Sequence, residues 1–503
     1  MMDSILSTLP NLITLLFPFL AAAFLLAARY RGTGKHITTG LHRKLLSLVR
    51  QRAPPGGGEH GTNKRRGLTF QVTDRAAAHR ALVRQSAAFH DRPTPVVPSS
   101  ILTQNRHFNI LAAPYGPYWR AVRRNLVAGV LSPSFFGRIN NVHARALRDL
   151  VRALGSGAPA GESLHFAVYS LTAEICFGKD VVASLGKTRL RAMAKFQWDL
   201  LMELPSFVVF ARYPRVVRFL YPARWRRLLA FRRHQEETYL PLVAQVRNNR
   251  RKNKTYVDTL LDARVPEDND RALTEGEIVS LLSEFLGVTT ETTASSLQWT
   301  MANLVKHPEI QHKLRLEVDA NAAGDGIIVE DGLSRMPYLK AVVFESLRRH
   351  PPIPFVLRHV PDGKEAAEVL GVPSSRLADG GATVNFLISK IGRDPEVWPE
   401  PMSFRPERFM PGGEGEGVDL ACAREMKMMP FGAGRRACPG TAMAMLHLEF
   451  FVANLVREFE WWEVDGEGVD LTEFYAVILT VMKNPLRARL VPRSAPAAAM
   501  SAN

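Results

Sequence analysis

The sequence predicts a mainly α-helical protein with a minor β-sheet region, preceded by one N-terminal transmembrane helix. Three observations carry that expectation. Apolar residues recur at helical spacing over long stretches, strand-like runs are short and few, and the first thirty residues hold an uncharged apolar segment.

The apolar segment comes first. Ile5 to Ala28, "ILSTLPNLITLLFPFLAAAFLLAA", is long enough to cross a bilayer core of roughly 30 Å. Arg29, Arg31 and Lys35 follow at once, which by the positive-inside rule leaves the bulk of the chain in the cytosol. A cleaved signal peptide would carry its charges before the apolar run, where only Asp3 stands. Residues 1–30 are therefore expected to form a membrane anchor. Residues 31–67 are expected to be a basic linker ending in "APPGGGEHGTNKRRG", where two prolines set φ and three glycines free it. The span 68–492 shows no second linker and no internal repeat, and reads as one domain; 493–503 reads as a disordered tail.

Within that domain "WRAVRRNLVAGVL" begins a helix near residue 119. A longer helical pattern fills 273–320, with Leu282, Phe285 and Leu286 at core spacing, Thr274 as N-cap and Glu277 three residues on. A third helix covers "MPYLKAVVFESLRRH" (336–350), and the last runs from Pro439 through "MAMLHLEFFVANLV". The strand-like runs are "LTFQVT", "ATVNFLI" and "ARLVP". Segments 232–254, 321–332 and 411–424, charged or glycine-rich, are expected to be surface loops.

Composition bounds the function. With 46% hydrophobic and 22% charged residues the chain is globular rather than disordered. A net charge of +17 suits an anionic membrane surface or an acidic partner protein. Neither zinc-finger spacing nor an RNA-binding aromatic signature accompanies it, so nucleic acid is not an expected partner. Cys176, Cys422 and Cys438 are odd in number and far apart, which excludes a disulfide framework and fits a reducing compartment.

One cysteine stands apart, in "PFGAGRRACPG" (430–440). A thiolate binds metal and a thiol hardly does. Pro439 suits a first helical turn, which would put Cys438 at a helix N-terminus, where free amides and the dipole favour negative sulfur. Gly434 and Gly440 leave room for a flat cofactor, Arg436 can hold a carboxylate, and Phe431 offers an apolar wall. These features fit a thiolate-ligated haem with its propionates. A zinc site made of Cys438, Cys422 and His447 is the weaker reading, because it lacks a close ligand pair.

Phe431, Gly434, Arg436, Cys438 and Gly440 also match F-x-x-G-x-R-x-C-x-G, the haem-binding signature of the cytochromes P-450. Chance gives such a match in roughly one chain of this length in several thousand. "ESLR" supplies E-x-x-R as Glu345 and Arg348, "FRPERF" follows some sixty residues later with Arg408, and "WRAVR" supplies W-x-x-x-R as Trp119 and Arg123. On these motifs residues 68–492 resemble the cytochrome P-450 catalytic domain, and the wording of "MKMMPFGAGRRACPG" and "AMLHLEFFVANLV" is similar to plant microsomal members, closest to the family numbered 89.

The resemblance implies a haem-thiolate monooxygenase with haem b on Cys438. Electrons would come from NADPH through NADPH-cytochrome P-450 reductase, and one atom of O2 would enter a hydrophobic small molecule. It further implies residence in the endoplasmic reticulum membrane, single-pass, with the catalytic domain cytosolic. Glu345, Arg348 and Arg408 would form a buried structural triad, and Trp119, Arg123, His359 and Arg436 would hold propionates. Glu291 and Thr292 would relay protons. Substrate contacts would come from the 101–113 loop, Phe285, Val288, Thr289, Phe355, Val356, Leu357, Leu479 and Thr480.

Two departures stand out. In "VTTETT" Thr289 replaces the glycine that usually precedes the acid–alcohol pair, which adds bulk where the helix backbone approaches haem and oxygen. Between the proline hinge and "VTDRAAAHRALV" only Gly56 to Gly67 intervene, fewer residues than the family has, which would cost the sheet an edge strand. Isomerase or dehydratase chemistry without a reductase, or a non-catalytic haem-binding membrane protein, are the alternatives these departures leave open.

Overall fold

In this computed structural model the described residues are 68–493, apart from 94–96, 104–108, 212, 250–253, 323–325, 362–363 and 373–380. The expected anchor, linker and shortened front end lie outside them, as do the tail beyond Arg493 and the middle of the 101–113 loop. Among the described residues no helix is long and apolar enough to cross a membrane.

The first strand, β1 (Leu68–Val72), leads into α1 (Arg75–His79), capped by the Asp74 side chain and continued by a π turn at Arg80–Arg84. Next come α2 (Pro98–Thr103), α3 (Pro117–Ala128), α4 (Pro133–Gly155), α5 (Ala160–Phe177) and α6 (Lys179–Phe207). They are followed by α7 (Pro214–Leu220), α8 (Pro222–Asn248) and α9 (Tyr256–Asp262). The small hairpin β2 (Arg264–Val265) and β3 (Arg271–Ala272) precedes α10 (Glu275–Lys306), α11 (Pro308–Asn321), α12 (Glu330–Leu333) and α13 (Pro337–Arg349). After β4 (Val356–Val360), α14 (Lys364–Leu370), β5 (Ala382–Phe386) and α15 (Ile388–Ile391) the chain turns irregular until α16 (Thr441–Glu458). It ends in β6 (Phe459–Trp462), β7 (Glu473–Ala476), β8 (Leu479–Met482) and β9 (Arg489–Pro492).

Helices therefore dominate, as composition and periodicity suggest, and all three predicted strand runs form. β1 pairs parallel with β5, and β4 pairs antiparallel on its other side, giving the order β1-β5-β4. Among the described residues β1 is thus an edge strand, while the opposite edge, β4, is bridged by Asp91.

α10 is the axis of the main core. Leu282, Leu286, Leu297, Trp299 and Met301 are fully buried, and the helix packs on α5, α8, α13 and α16. The helix is buried nearly all round, unlike a surface helix with one apolar stripe, and buried polar residues on it find partners inside, as Ser295 does on Thr480 O and Thr300 on Ser346. Its start is as predicted: Thr274 accepts from the Glu277 N–H at 3.3 Å, and Glu277 accepts from the Thr274 N–H at 2.8 Å. A second, smaller core lies under the sheet around Val72, Phe89, Val384 and Phe386.

Three sequence expectations need correction. The pattern over 273–320 is two helices, because Pro308 restricts His307 to φ −125°, ψ 75° and opens α11 as its first residue. Segment 232–254 is not a loop as far as Asn248: Arg232, Gln235, Tyr239, Leu242, Val243 and Val246 recur every three to four residues as the buried face of α8, beneath a charged outer face. The final helix begins at Thr441 with Gly440 as N-cap, so Pro439 precedes the helix rather than opening it.

Candidate active site

The cysteine loop is pinned by its own backbone. Cys438 N–H donates to Phe431 O at 2.8 Å, and Gly432 N–H donates to Met429 O at 2.9 Å. Gly434 has φ +72°, and a Cβ there would lie 1.7 Å from the Leu82 carbonyl oxygen. Its glycine is thus required by close packing on the π turn, a different reason from cofactor clearance. At Gly440 a Cβ would meet only the Cys438 sulfur, at 3.9 Å.

Cys438 is accessible and yet strongly desolvated, the combination expected of a side chain facing an enclosed space. Burial pushes its thiol pKa up, and the Gly440 N–H, the Arg123 charge and the Thr441 hydroxyl offset part of that rise. The sequence predicted a lowered value. Desolvation wins in the free chain, and a bound metal ion would displace the proton outright. Cys422 has no such environment. It is buried, its thiol donates to Met428 O at 3.3 Å, and burial raises its pKa to about 12. Among the described residues no group of three or more His, Cys, Asp or Glu side chains can hold a metal, which leaves the zinc reading without support.

Beside the cysteine loop lies a cluster of cations. Arg123 and Arg436 both stack on Trp119, at 5.1 and 5.0 Å from its ring, and the Trp119 indole N–H donates to Ile110 O at 3.0 Å. Arg123 donates to Ala437 O at 2.7 Å; Arg436 donates to His90 O at 2.6 Å and Ala113 O at 2.7 Å. Sequence reasoning places these three residues together, and the structure does too. It missed Arg92. Arg358, the residue before His359, also belongs to the cluster.

Burial and the charges of Arg92 and Arg436 lower the Arg358 pKa to about 9; Arg92 and Arg436 fall to about 10, chiefly through burial. Among the described residues, Arg92 Nε and Arg358 Nη2 are buried donors with no partner. Buried N–H groups and mutually repelling guanidiniums call for an anion. His359 does not share this cluster's burial: adjacent residues of β4 point to opposite faces, with Arg358 buried and His359 half-buried near Gly381. The signal that could have found Arg358 is this alternation.

On α10, Val288 is 46% exposed in the middle of an otherwise buried helix, and Thr289 and Thr292 beside it are half-buried. The three form an accessible stripe. Thr292 Oγ1 donates to Val288 O at 2.8 Å, one turn back, while Glu291 sits on the flank with Oε1 3.0 Å from His165 Nε2 of α5. Phe285 packs on Tyr256, ring centroids 4.7 Å apart. Phe355, Val356 and Leu357 are half-buried, and Val356 approaches Gly432 of the cysteine loop. Leu479 and Thr480 are buried: the Thr480 carbonyl accepts from Ser295 Oγ at 2.8 Å and Trp299 Nε1 at 3.1 Å, tying β8 to α10.

Behind the loop, Glu345 receives Arg348 through both oxygens, at 2.6 and 2.8 Å, and Arg408 Nε at 3.4 Å, with all three side chains fully buried. The motif triad is therefore one physical unit.

This arrangement has a counterpart in known proteins. The family model for cytochrome P450 matches residues 66–488.

The chain belongs to the cytochrome P450 family.

Cytochromes P450 are monooxygenases that carry haem on a cysteine thiolate. Among relatives, Cytochrome P450 89A9 of Arabidopsis thaliana is 40% identical over 443 residues, covering 84% of each chain, in line with the resemblance to family 89. Cytochrome P450 78A11 of Oryza sativa subsp. japonica is 31% identical, over 90% of this chain and 82% of that one. Flavonoid 3'-monooxygenase of Arabidopsis thaliana is 28% identical, over 92% and 90%. A zebra fish cytochrome P450 solved with progesterone shares the fold at TM-score 0.68 and 21% identity, over 90% of this chain and 99% of that one.

Proposed function

We propose that this P450 is a membrane-anchored haem-thiolate monooxygenase whose iron ligand is Cys438, and that it takes electrons from NADPH through a reductase to oxidise a hydrophobic small molecule. The observation that carries the reading is the pairing of an enclosed, accessible cysteine with a buried arginine cluster that holds unpartnered N–H groups. A haem answers both demands at once: iron for the sulfur, two propionates for the guanidiniums.

When bound, the haem supplies O2 binding and activation, favoured by electron donation from the thiolate. The chain's own residues do the rest. Arg92, Arg123, Arg358 and Arg436, with Trp119 between two of them, would hold the propionates and offset their charge. Phe431 and Val356 give the cysteine loop an apolar border. Thr292 holds a hydroxyl on the accessible stripe, and Glu291, hydrogen-bonded to His165, stands one residue away; Glu291 and Thr292 are the two groups of a proton relay. Thr289 on the same stripe narrows the space there.

The anchor at residues 1–30 places the enzyme in the endoplasmic reticulum membrane with its catalytic body in the cytosol. The +17 charge suits an acidic reductase surface. The test is reconstitution of the full-length protein with a plant NADPH reductase. Substrate-induced Soret shifts followed by NADPH- and O2-dependent turnover are expected with an apolar compound. Turnover of a substrate without NADPH would instead establish the isomerase or dehydratase alternative.

A further inference from the structure

Glu284, on α10, lies outside the relay, and the charge of Arg92 reaches it from the arginine cluster. It lies four residues before Val288 and eight before Thr292, so the three share one helix face. Its carboxylate is spent on backbone of another segment: Oε2 accepts from Ile110 N–H at 2.7 Å and Oε1 from Leu111 N–H at 2.6 Å. The same short segment is gripped from its other side, since Ile110 O accepts from Trp119 and Ala113 O from Arg436. Asn109 closes it internally by accepting from Ala112 N–H at 2.9 Å.

We propose that Glu284 is a positioning residue that latches the 109–113 segment onto α10 at one end of the accessible stripe, and that opening this latch sets the size of ligand the haem cavity admits. The inference rests on the haem reading above. Both carboxylate oxygens are committed to amide donors, so a proton on either oxygen replaces an acceptor by a donor facing an N–H. The latch therefore weakens when the carboxyl is protonated.

Among the described residues, the charged and titratable groups around it are Arg92, Tyr118 of α3 and Tyr256 of α9. Burial lowers Arg92 only to about 10, and burial holds both phenols well above their usual range, so none of the three changes charge near neutrality. Burial raises Glu284 itself to about 7, against the two amide bonds and Arg92, which lower it. The latch is thus poised to open over the range in which enzymes of this kind are assayed.

The experiment uses holoenzyme and two triazoles, whose ring nitrogen does not titrate near neutrality: 1-methyl-1,2,4-triazole as the small probe and tebuconazole as the bulky one. Dissociation constants are read from the Soret shift between about pH 6 and 8. If the bulky probe needs the open latch, its apparent affinity rises by up to roughly tenfold from about pH 8 to 6, in proportion to the protonated fraction, while the small probe is unaffected. In Glu284→Gln the bulky probe binds as tightly at about pH 8 as it does to the wild type at about pH 6, and the slope is lost. A slope that persists in Glu284→Gln, a flat wild-type profile, or both probes moving together overturns the latch. No Soret shift with the small probe overturns the haem reading itself. The wild-type profile needs no variant and so decides even if Glu284→Gln fails to fold.

Discussion

Arg348 clasps Glu345 through both carboxylate oxygens, and Arg408 reaches the same carboxylate from a segment sixty residues on, with none of the three exposed to solvent. The spare donors are also used: Arg348 bonds Gly392 O at 2.9 Å and Pro401 O at 2.8 Å, and Arg408 bonds Glu400 O at 2.8 Å. The triad thereby staples α13 to the irregular segment that leads into the cysteine loop. Removing one member strands a buried charge, which typically costs roughly 3–5 kcal/mol. Glu345→Gln is expected to lower stability by about that much in denaturant titration and to reduce haem content on expression.

The arginine cluster gives a contrast between neighbours. Arg358→Gln removes a buried guanidinium with an unpartnered N–H, and His359→Gln changes a half-buried side chain on the other face of β4. A hydrogen bond to a charged group is worth roughly 1.5–3 kcal/mol, or about ten- to a hundredfold in haem loss. Haem transfer to excess apomyoglobin is expected to accelerate by that factor in Arg358→Gln and to stay near the wild-type rate in His359→Gln.

These two residues also show where a sequence is legible. The cysteine loop, the E-x-x-R pair, the capping box at Thr274 and the three strands are each written in local spacing, so they survive without knowledge of the fold. The roles of Arg92 and Arg358 are not local: they come from burial beside other cations, which only the packed chain reveals. Residues 232–248 misled for a related reason, because charge on the outer face of α8 outnumbers the narrow buried face. The Cys438 pKa runs against the sequence expectation because the desolvation that outweighs the free amides and the dipole comes only with packing.

Thr289 stands on the accessible stripe beside Val288 and Thr292. If its bulk obstructs the oxygen pocket, Thr289→Gly raises substrate turnover at equal haem occupancy, even though glycine in a helix costs about 1 kcal/mol of stability relative to alanine. Turnover per haem that does not rise would remove this residue from the account.

Acid should destabilise the fold in a defined window. Burial lowers His143 to about 4, and burial likewise lowers His350 to about 4, opposed by its hydrogen bond to Glu473. Both folded-state values lie below the unfolded value of about 6.5, so the stability they contribute is full above that pH and is lost as pH falls towards 4. Each contributes on the order of 3 kcal/mol at most. Denaturation midpoints are expected to fall between about pH 6.5 and 4, and His143→Phe to flatten part of that decline.

The central claim is that the sulfur of Cys438 binds haem iron, and the reduced, carbon monoxide-bound spectrum reads it most directly. The wild-type protein is expected to show the strongly red-shifted Soret band that a thiolate opposite carbon monoxide produces. Cys438→Ser is expected to lose that band while Cys422→Ser keeps it. A red-shifted band that survives Cys438→Ser, or its absence from correctly folded wild-type holoprotein, would contradict the account.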